Sequence, residues 1–422
     1  MAHVQKGNRA ILVVGGGMSG LSAAIEAAEA GMQVYLVERE PYLGGRVSRM
    51  NKYFPKLCPP SCGLEINFRR LKNNPRIRFF NMARVTAIQG QPGSLDVTIQ
   101  ISPRYVNHKC TACGECALAA EREIPDPFNY GLSSVKAAYL PHDFAFPMRY
   151  VLDPCVLGTP EGEKIKNACP YGAIELDMQP QVLDLQVGAV IWATGWDPYP
   201  AEKIPYYAFE KTGNVITNVM MERMASPCGP TQGRIARPSD NGEVNKVAFI
   251  QCAGSRDENH LPYCSGICCL ASLKQATYLL DQNPQAQISI YYIDIRALGK
   301  FEDFFNRVQA HDNVTLIKGK PGEILQDPST GLVTVQVEDQ TTGHILRESF
   351  DLAVLATGMV ASTANDPVPA PVTVDEYGFL LNSDTSSGII GAGCTCRPTD
   401  VATSVQDATA AVLKAIQATC GR

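Results

Sequence analysis

The sequence contains no apolar run of membrane-spanning length, so any membrane association has to go through a partner. It has no basic stripe either. Charged residues are 19% of the chain and sum to −5, which argues against a nucleic-acid partner. No secretory signal is read ahead of the first strand, because MAHVQKGNRA turns directly into Ile11-Leu-Val-Val14. A regular disulfide framework is excluded as well: the 15 cysteines are odd in number and clustered. Thiols so arranged fit a reducing cytoplasm and metal or redox chemistry. Low-complexity tracts are absent. With 422 residues and 45% hydrophobic content, the chain is an ordinary globular protein of two or three domains.

The first unit present is a strand, Ile11–Val14, then Gly15-Gly-Gly-Met-Ser19-Gly20, then a helix from Leu21 to Ala30. A second strand, Val34–Val37, ends at Glu38. Gly15, Gly17 and Gly20 give the tight turn, the close backbone approach and the helix–strand packing of a dinucleotide site. The helix N-terminus faces the pyrophosphate, and Glu38 is placed to accept from a ribose hydroxyl. Gly44-Gly45-Arg46 follows at once. Such a pair beyond the acidic strand end resembles FAD enzymes of the two-dinucleotide-domain type. Val190-Ile-Trp-Ala193-Thr194-Gly195 and Val354-Leu-Ala-Thr-Gly358 resemble the turns where those enzymes recross between domains.

A cysteine-bearing insertion runs from Cys110 to Cys169. It opens with Cys110-Thr-Ala-Cys113-Gly-Glu-Cys116 and closes with Cys169-Pro170. In two-cluster ferredoxins the fourth cysteine of each run ligates the other cluster. Here Ala120 occupies that position in the first run, and Cys155 alone remains of the second cluster's ligands. The count predicts one [4Fe–4S] cluster on Cys110, Cys113, Cys116 and Cys169 beside a vacated site; zinc or inert thiols are the alternative. Pro198–Ser239, rich in Pro, Gly, Asn and Thr, reads as an exposed connection in which Cys228 is idle.

Gln251–Lys274 is the distinctive stretch. Strand Lys246–Ile250, helix Leu270–Leu280 and strand Ile288–Ile293 form a second βαβ unit. Where its glycines should be stand Cys252, Cys264, Cys268 and Cys269. Four soft thiolates suit a second [4Fe–4S] cluster; buried thiols acting as small apolar groups are the alternative. Downstream, Phe301–Val308 reads as helical, Val314–Ile317 and Val333–Val337 as strands, and Val401–Ala418 as a helix capped by Asp400. Relatives of this type place Gly-Asp ahead of that last helix; this chain has Gly393-Cys394. Cys58-Pro-Pro-Ser-Cys62 lies where flavoprotein disulfide reductases keep their redox pair. Its spacing, and Arg397-Pro-Thr399 where their acid–base histidine belongs, favour a structural role.

Taken together, GGGMSG, YLVEREPYLGGR, RYVNHKCTACGEC, ACPYGAIE, VAFIQCAGSRDEN, YCSGICC and GAGCTC resemble the flavoprotein A subunit of heterodisulfide reductase across almost the whole chain. CPPSCGLEINFRRLKNNPRIRF and KAAYLPHDFAFPMRYVLD are more similar to the A subunit of quinone-interacting membrane-bound oxidoreductase (Qmo) complexes, and the short length agrees with that. The resemblance implies an α/β, thioredoxin-reductase-like flavoprotein of two Rossmann-type domains with a ferredoxin-like insertion. Its domains would be 1–105, the insertion 106–180, a return and connection 181–243, the Cys-rich second domain 244–350, and the FAD-domain remainder 351–422. It implies an oxidoreductase subunit carrying FAD and one or two [4Fe–4S] clusters. FAD would be held by Gly15, Gly17, Ser19, Gly20, Glu38, Arg39, Gly44, Gly45, Arg46, Val85, Ala193, Thr194, Gly195, Gly393, Cys394, Asp400 and Val401. By resemblance Lys274 lies beside the flavin and stabilises its reduced form. Partners would be a second flavoprotein of this kind, adenylylsulfate reductase and a quinone-reactive membrane subunit, in dissimilatory sulfur metabolism, with the chain held on the cytoplasmic face of the membrane. Three alternatives stay open: a heterodisulfide-reductase-type soluble subunit that can bifurcate electrons, a self-contained NAD(P)H:disulfide oxidoreductase using Cys58 and Cys62, and a scaffold with vestigial cofactor sites.

Overall fold

The structure, a computed structural model, describes residues 9–54, 56–382 and 387–420. The N-terminal stretch read for a signal is therefore mostly outside the described residues. The chain divides into two units: Met1–Ser48 with Pro59–Trp196 and Ala361–Arg422, and Arg49–Cys58 with Asp197–Val360.

In the first unit a five-stranded parallel sheet has the order Ile389–Gly391, Ala189–Trp192, Ala10–Val14, Gln33–Glu38, Ile77–Asn81. Ala10–Val14 lies centrally, with Val14 opposite both Trp192 and Val37. All five of its residues are buried, as expected of a parallel strand covered on both faces. Helices Met18–Glu29 and Val401–Thr419 pack on one face through Leu21, Ala24, Ile25, Ala408, Ala411 and Val412. The last helix thus buries Ala408 and Val412 as its periodicity predicts, while Val401 and Val405 are only half-buried. An antiparallel sheet of Ala83–Gln91, Ser94–Ile101 and Gln181–Val187 covers the other face. Gln181 pairs directly with Ile101, so the insertion leaves and rejoins one hairpin without disturbing the sheet.

The second unit repeats this plan. Its parallel sheet runs Val215–Thr217, Leu352–Thr357, Lys246–Ala253, Gln287–Tyr292, Val314–Lys318, with an antiparallel sheet of Glu323–Gln326, Val333–Asp339 and His344–Phe350. Helix Cys268–Gln282 packs against the central strand through Leu273, Ala276 and Leu279. The boundaries differ from the sequence reading, which has the second domain as 244–350: Arg49–Cys58 and Asp197–Val360 make up this unit. Strand Leu352–Thr357 belongs to this sheet, and the chain returns to the first unit at Ala361 rather than at 351. Pro198–Ser239 is not an exposed connection: it carries the edge strand Val215–Thr217 and helix Asn218–Ala225, with Ile204, Tyr207, Ile216, Met221 and Met224 buried. Its turn residues do mark turns, but Thr217 is also an N-cap whose hydroxyl accepts from the Met220 amide. Among the described residues no helix is long and apolar enough to cross a membrane.

Candidate functional site

The glycine turn of the first unit is close-packed backbone. A Cβ on Gly20 would stand 1.7 Å from the Gly15 carbonyl oxygen, and one on Gly15 would stand 2.3 Å from that of Ala193. Gly45 has φ +56°, and its Cβ would meet Gly17 Cα at 2.8 Å, while the Gly44 amide donates to the Gly16 carbonyl at 2.8 Å. The Gly44-Gly45 pair is therefore the floor on which the first turn rests. Gly17 differs: the nearest atom to its Cβ position is 3.8 Å away, which leaves space for a ligand to approach the backbone. No side chain caps helix Met18–Glu29 and no acid lies in its first turn, so its amides face that space as an anion site would.

Glu38, 6% exposed, accepts from the Gly16 amide at 2.6 Å and from the Glu40 amide at 2.8 Å. Burial pushes its carboxyl up to about 7 despite these donors. Each oxygen keeps a further lone pair for a ribose hydroxyl. Arg39 forms an ion pair with Glu40 at 3.8 Å on the same turn. Arg46 donates from Nε to the Trp196 carbonyl, lies over that indole at 5.0 Å, and reaches the Tyr130 hydroxyl at 3.2 Å. Val85 is half-buried at a bulge in strand Ala83–Gln91.

Ala193-Thr194-Gly195 is tied down by hydroxyls that the sequence does not single out. Thr194 Oγ1 and Ser362 Oγ are 2.7 Å apart, and the Gly195 amide donates to Thr395 Oγ1 at 2.9 Å. Gly393, with φ +67°, lies against Ser19, whose Oγ would be 2.1 Å from a Cβ there. Cys394 stands where relatives have an acid, but it is 8% exposed, its thiol is pushed up by burial, and it donates to the Thr399 carbonyl at 3.4 Å. Asp400 caps the final helix by accepting from the Thr403 amide at 2.7 Å, next to half-buried Val401. The donors and the open face at Gly17 fit a flavin dinucleotide; Cys394 supplies no carboxylate to it.

In the insertion, Cys110, Cys113, Cys116 and Cys169 line one pocket with Thr111, Gly114, Tyr150 and Tyr171. Burial pushes Cys116 up to about 12, and the neighbouring thiols at 110, 113 and 169 add to the shift. Ala112 and Gly114 take φ of +58° and +93°, curling the loop so that its sulfurs converge. The Ala173 amide donates to Cys169 Sγ at 3.3 Å. The second ferredoxin position is filled by apolar packing: Ala120, Val156 and Ile165 form a core with half-buried Cys155.

The second unit gathers the other four cysteines. Cys252, at φ +56°, and Cys269 are buried, and Cys264 and Cys268 half-buried. Burial pushes Cys252 up to about 11, with Cys269 and then Cys264 contributing. Cys268 is raised by burial and by all three others. The Gly266 amide donates to Cys264 Sγ at 3.3 Å, while Cys268 and Cys269 donate to the carbonyls of Thr357 and Asp294 at 3.7 Å each. Among the described residues no three His, Cys, Asp or Glu side chains are close enough to hold a single metal ion. Cysteines that share a cubane each bind a different iron, so they stand farther apart than that. Four cysteine thiols are a donor set that a [4Fe–4S] cluster would take.

Lys274 lies in the same unit. Its ammonium is buried, 3.0 Å from Glu222 Oε1, and donates to the Lys52 carbonyl. Glu222 also accepts from Gln275 Nε2 at 2.8 Å, the Asn51 amide at 3.0 Å and the Tyr278 hydroxyl at 3.2 Å. Glu222, Gln275 and Tyr278 thus form one polar network with Lys274 that the sequence reading missed, Glu222 because it lies in the segment read as a connection. Cys58 is half-buried in a turn whose carbonyl accepts from the Tyr53 amide, and Cys62 is exposed on helix Pro60–Asn73.

The FAD dependent oxidoreductase family profile matches residues 10–55, the stretch that forms the glycine cradle. The chain is 36% identical over 420 residues to an iron-sulfur A subunit of the CoB–CoM heterodisulfide reductase of Methanopyrus kandleri, covering 96% of this chain and 64% of that one. It is 35% identical over 422 residues to the A subunit of the H(2):CoB-CoM heterodisulfide,ferredoxin reductase of Methanothermobacter marburgensis, covering 96% and 63%. It thus spans less than two thirds of the length of these relatives. Among solved structures, T. acidophilum thioredoxin reductase superposes with a TM-score of 0.53 at 14% identity, covering 97% of this chain and 98% of that one. The fold is that of thioredoxin reductase, and over almost its whole length the chain is similar to the A subunit of heterodisulfide reductase.

Proposed function

We propose that the chain is an electron-transfer subunit of heterodisulfide reductase type, holding one FAD and two [4Fe–4S] clusters and serving partner subunits. The observation that carries this is the pairing, in one chain, of an intact dinucleotide cradle with a second dinucleotide turn rebuilt from four cysteines. FAD supplies the exchange between paired and single electrons, and clusters supply one-electron conduction. The chain's own residues bind and tune. Gly15, Gly17, Gly20 and the first helical amides hold the diphosphate, Glu38 the ribose, and Gly44, Gly45, Arg46 and the Ala193–Gly195 turn the surrounding loops. Ser19, Arg39, Val85, Gly393, Cys394, Asp400 and Val401 complete that shell, Cys394 through packing. Cys110, Cys113, Cys116 and Cys169 hold one cluster, and Cys252, Cys264, Cys268 and Cys269 the other. Lys274, a buried ammonium balanced by Glu222, is the charge assigned to stabilising reduced flavin.

The heterodisulfide reductase subunits named above favour this reading over the quinone-linked role in sulfur metabolism. That role rests on the Cys58–Phe79 and Lys136–Asp153 segments alone, and with it a membrane partner, adenylylsulfate reductase and attachment at the cytoplasmic face. Anaerobic purification from the native source, with identification of the bound subunits, tests both. Recovery with heterodisulfide reductase partners supports the proposal, and recovery with a quinone-reactive membrane subunit supports the narrower role. A free, iron-less protein whose flavin is bleached by NADPH would replace both with the disulfide oxidoreductase.

A further inference from the structure

Beside the second cysteine quartet, two buried hydrogen-bonding side chains have no partner among the described residues. Gln251 is 1% exposed, and neither its amide nitrogen nor its amide oxygen is hydrogen-bonded. Ser255 is 2% exposed, and its hydroxyl is likewise unpartnered. Leaving such groups unsatisfied costs free energy, and folded proteins retain few of them, so each points to a missing acceptor or donor.

Both are placed at the quartet. Along strand Lys246–Ala253, Val247 and Phe249 join the core beneath helix Cys268–Gln282, while Ala248 and Ile250 join the opposite one. Gln251 is next in sequence to Cys252, at the end of the strand where the pairing with Leu352–Thr357 shifts register between Ile250 and Ala253. The Ser255 amide donates to the Cys252 carbonyl at 3.2 Å. Its Oγ lies 2.1 Å from where a Cβ on Gly358 would stand, and the carbonyl of the preceding Thr357 is 3.7 Å from Cys268 Sγ.

We infer that Gln251 and Ser255 donate hydrogen bonds to sulfur of the cluster held by Cys252, Cys264, Cys268 and Cys269, and thereby raise its reduction potential. This rests on the proposed second cluster. Reduction adds negative charge to the cluster, and a fixed donor stabilises the charged form more than the less charged one. Outer-shell donors of this kind tune a metal centre without ligating it.

The test is an EPR-monitored redox titration of the full chain, purified anaerobically, as wild type, Gln251→Leu, Gln251→Asn and Ser255→Ala. Gln251→Leu keeps the volume and removes the donor. It should leave iron content unchanged and shift the one-electron equilibrium about tenfold toward the oxidised cluster, ~59 mV for one electron. Ser255→Ala should shift it in the same direction by less, and the insertion cluster should not move in either variant. Unchanged potentials with full iron overturn the inference and assign water as the partner of both side chains. Should Gln251→Leu lose iron, Ser255→Ala decides by the same criterion, and Gln251→Asn, which keeps an amide donor, should shift the potential less than Gln251→Leu. A Cys268→Ala protein that retains all its iron is a separate result: it removes the second cluster itself, and the inference with it.

Discussion

The two glycine-type turns of this chain sit at equivalent points of equivalent sheets, yet they are held by different physics. In the first, Gly15, Gly20 and Gly45 let backbone touch backbone, and the acid at the end of the next strand, Glu38, turns in to bind the Gly16 amide. In the second, Cys252 takes the left-handed conformation in place of glycine. The acid beyond the next strand, Asp294, is drawn outward into pairs with Arg256 and Arg296, and its carbonyl accepts from the Cys269 thiol. A nucleotide needs an inward acid as well as close approach to bare backbone, and the second turn has its acid turned outward. It brings four cysteines together, of which burial and then the neighbouring thiols push Cys252 and Cys268 up, and a metal would relieve these by taking them as thiolates. On the proposed reading, the same topology supports a nucleotide cradle or a cluster cradle, depending on a handful of side chains.

The largest effect is expected from the polar network around Lys274 in the second unit. Glu222→Gln leaves the Lys274 ammonium buried without its counter-charge, with both side chains under a tenth exposed. It should destabilise that unit by about 3–5 kcal/mol, read as an early unfolding transition in urea. Gly20→Ala strikes the first turn. A methyl 1.7 Å from a carbonyl oxygen forces the backbone apart, so the protein should lose roughly 3 kcal/mol and purify without flavin absorbance. Gly17→Ala sharpens the contrast: with the nearest atom 3.8 Å away, it should fold normally and still fail to take up FAD, by calorimetry and by colour.

Glu38 adds a pH signature to the first turn. Its folded-state value is raised to about 7 by burial, from an ordinary 4.5. Its contribution to stability is therefore full below about 4.5 and is lost as pH rises toward 7, because the unfolded chain ionises first. FAD binding should show the opposite trend, strengthening as pH passes 7 and the carboxylate becomes free to accept from ribose. Glu38→Gln should weaken FAD about tenfold at pH 8 and flatten both profiles, as seen in thermal melts and flavin titrations across pH 5–8. Asp294→Asn, half-exposed in its pair with Arg256, should change stability by no more than about 0.5 kcal/mol and leave flavin uptake alone.

Much of this was legible in the sequence, and unevenly so. The first turn is written in local terms: glycines at fixed spacing between a buried strand and an alanine-rich helix, with Glu38 one strand later. The two cysteine quartets were legible for the same reason, since thiols are rare and their clustering needs no tertiary knowledge. Pro198–Ser239 was misread because composition reports turns but not what lies between them. Thr217 and Asn218 look like loop residues until Thr217 is seen capping a helix. Glu222 gave no signal, because its meaning comes from Lys274, Gln275 and Tyr278, which reach it only through folding. Ser362 and Thr395 were silent in the same way, being ordinary hydroxyls that matter through the Ala193–Gly195 turn they fasten. The boundary at 351 erred because the second Ala-Thr-Gly looks like the first, although its strand completes a different sheet.

The most direct test of the central claim is to quantify iron and flavin together in anaerobically purified wild type and Cys268→Ala. With two clusters and one FAD, the wild type should hold about eight irons per flavin, and the variant should lose about four of them with its EPR signal while keeping FAD in full. Equal iron in the two proteins, or loss of flavin together with the iron, would contradict the assignment of the second turn as a cluster site independent of the first.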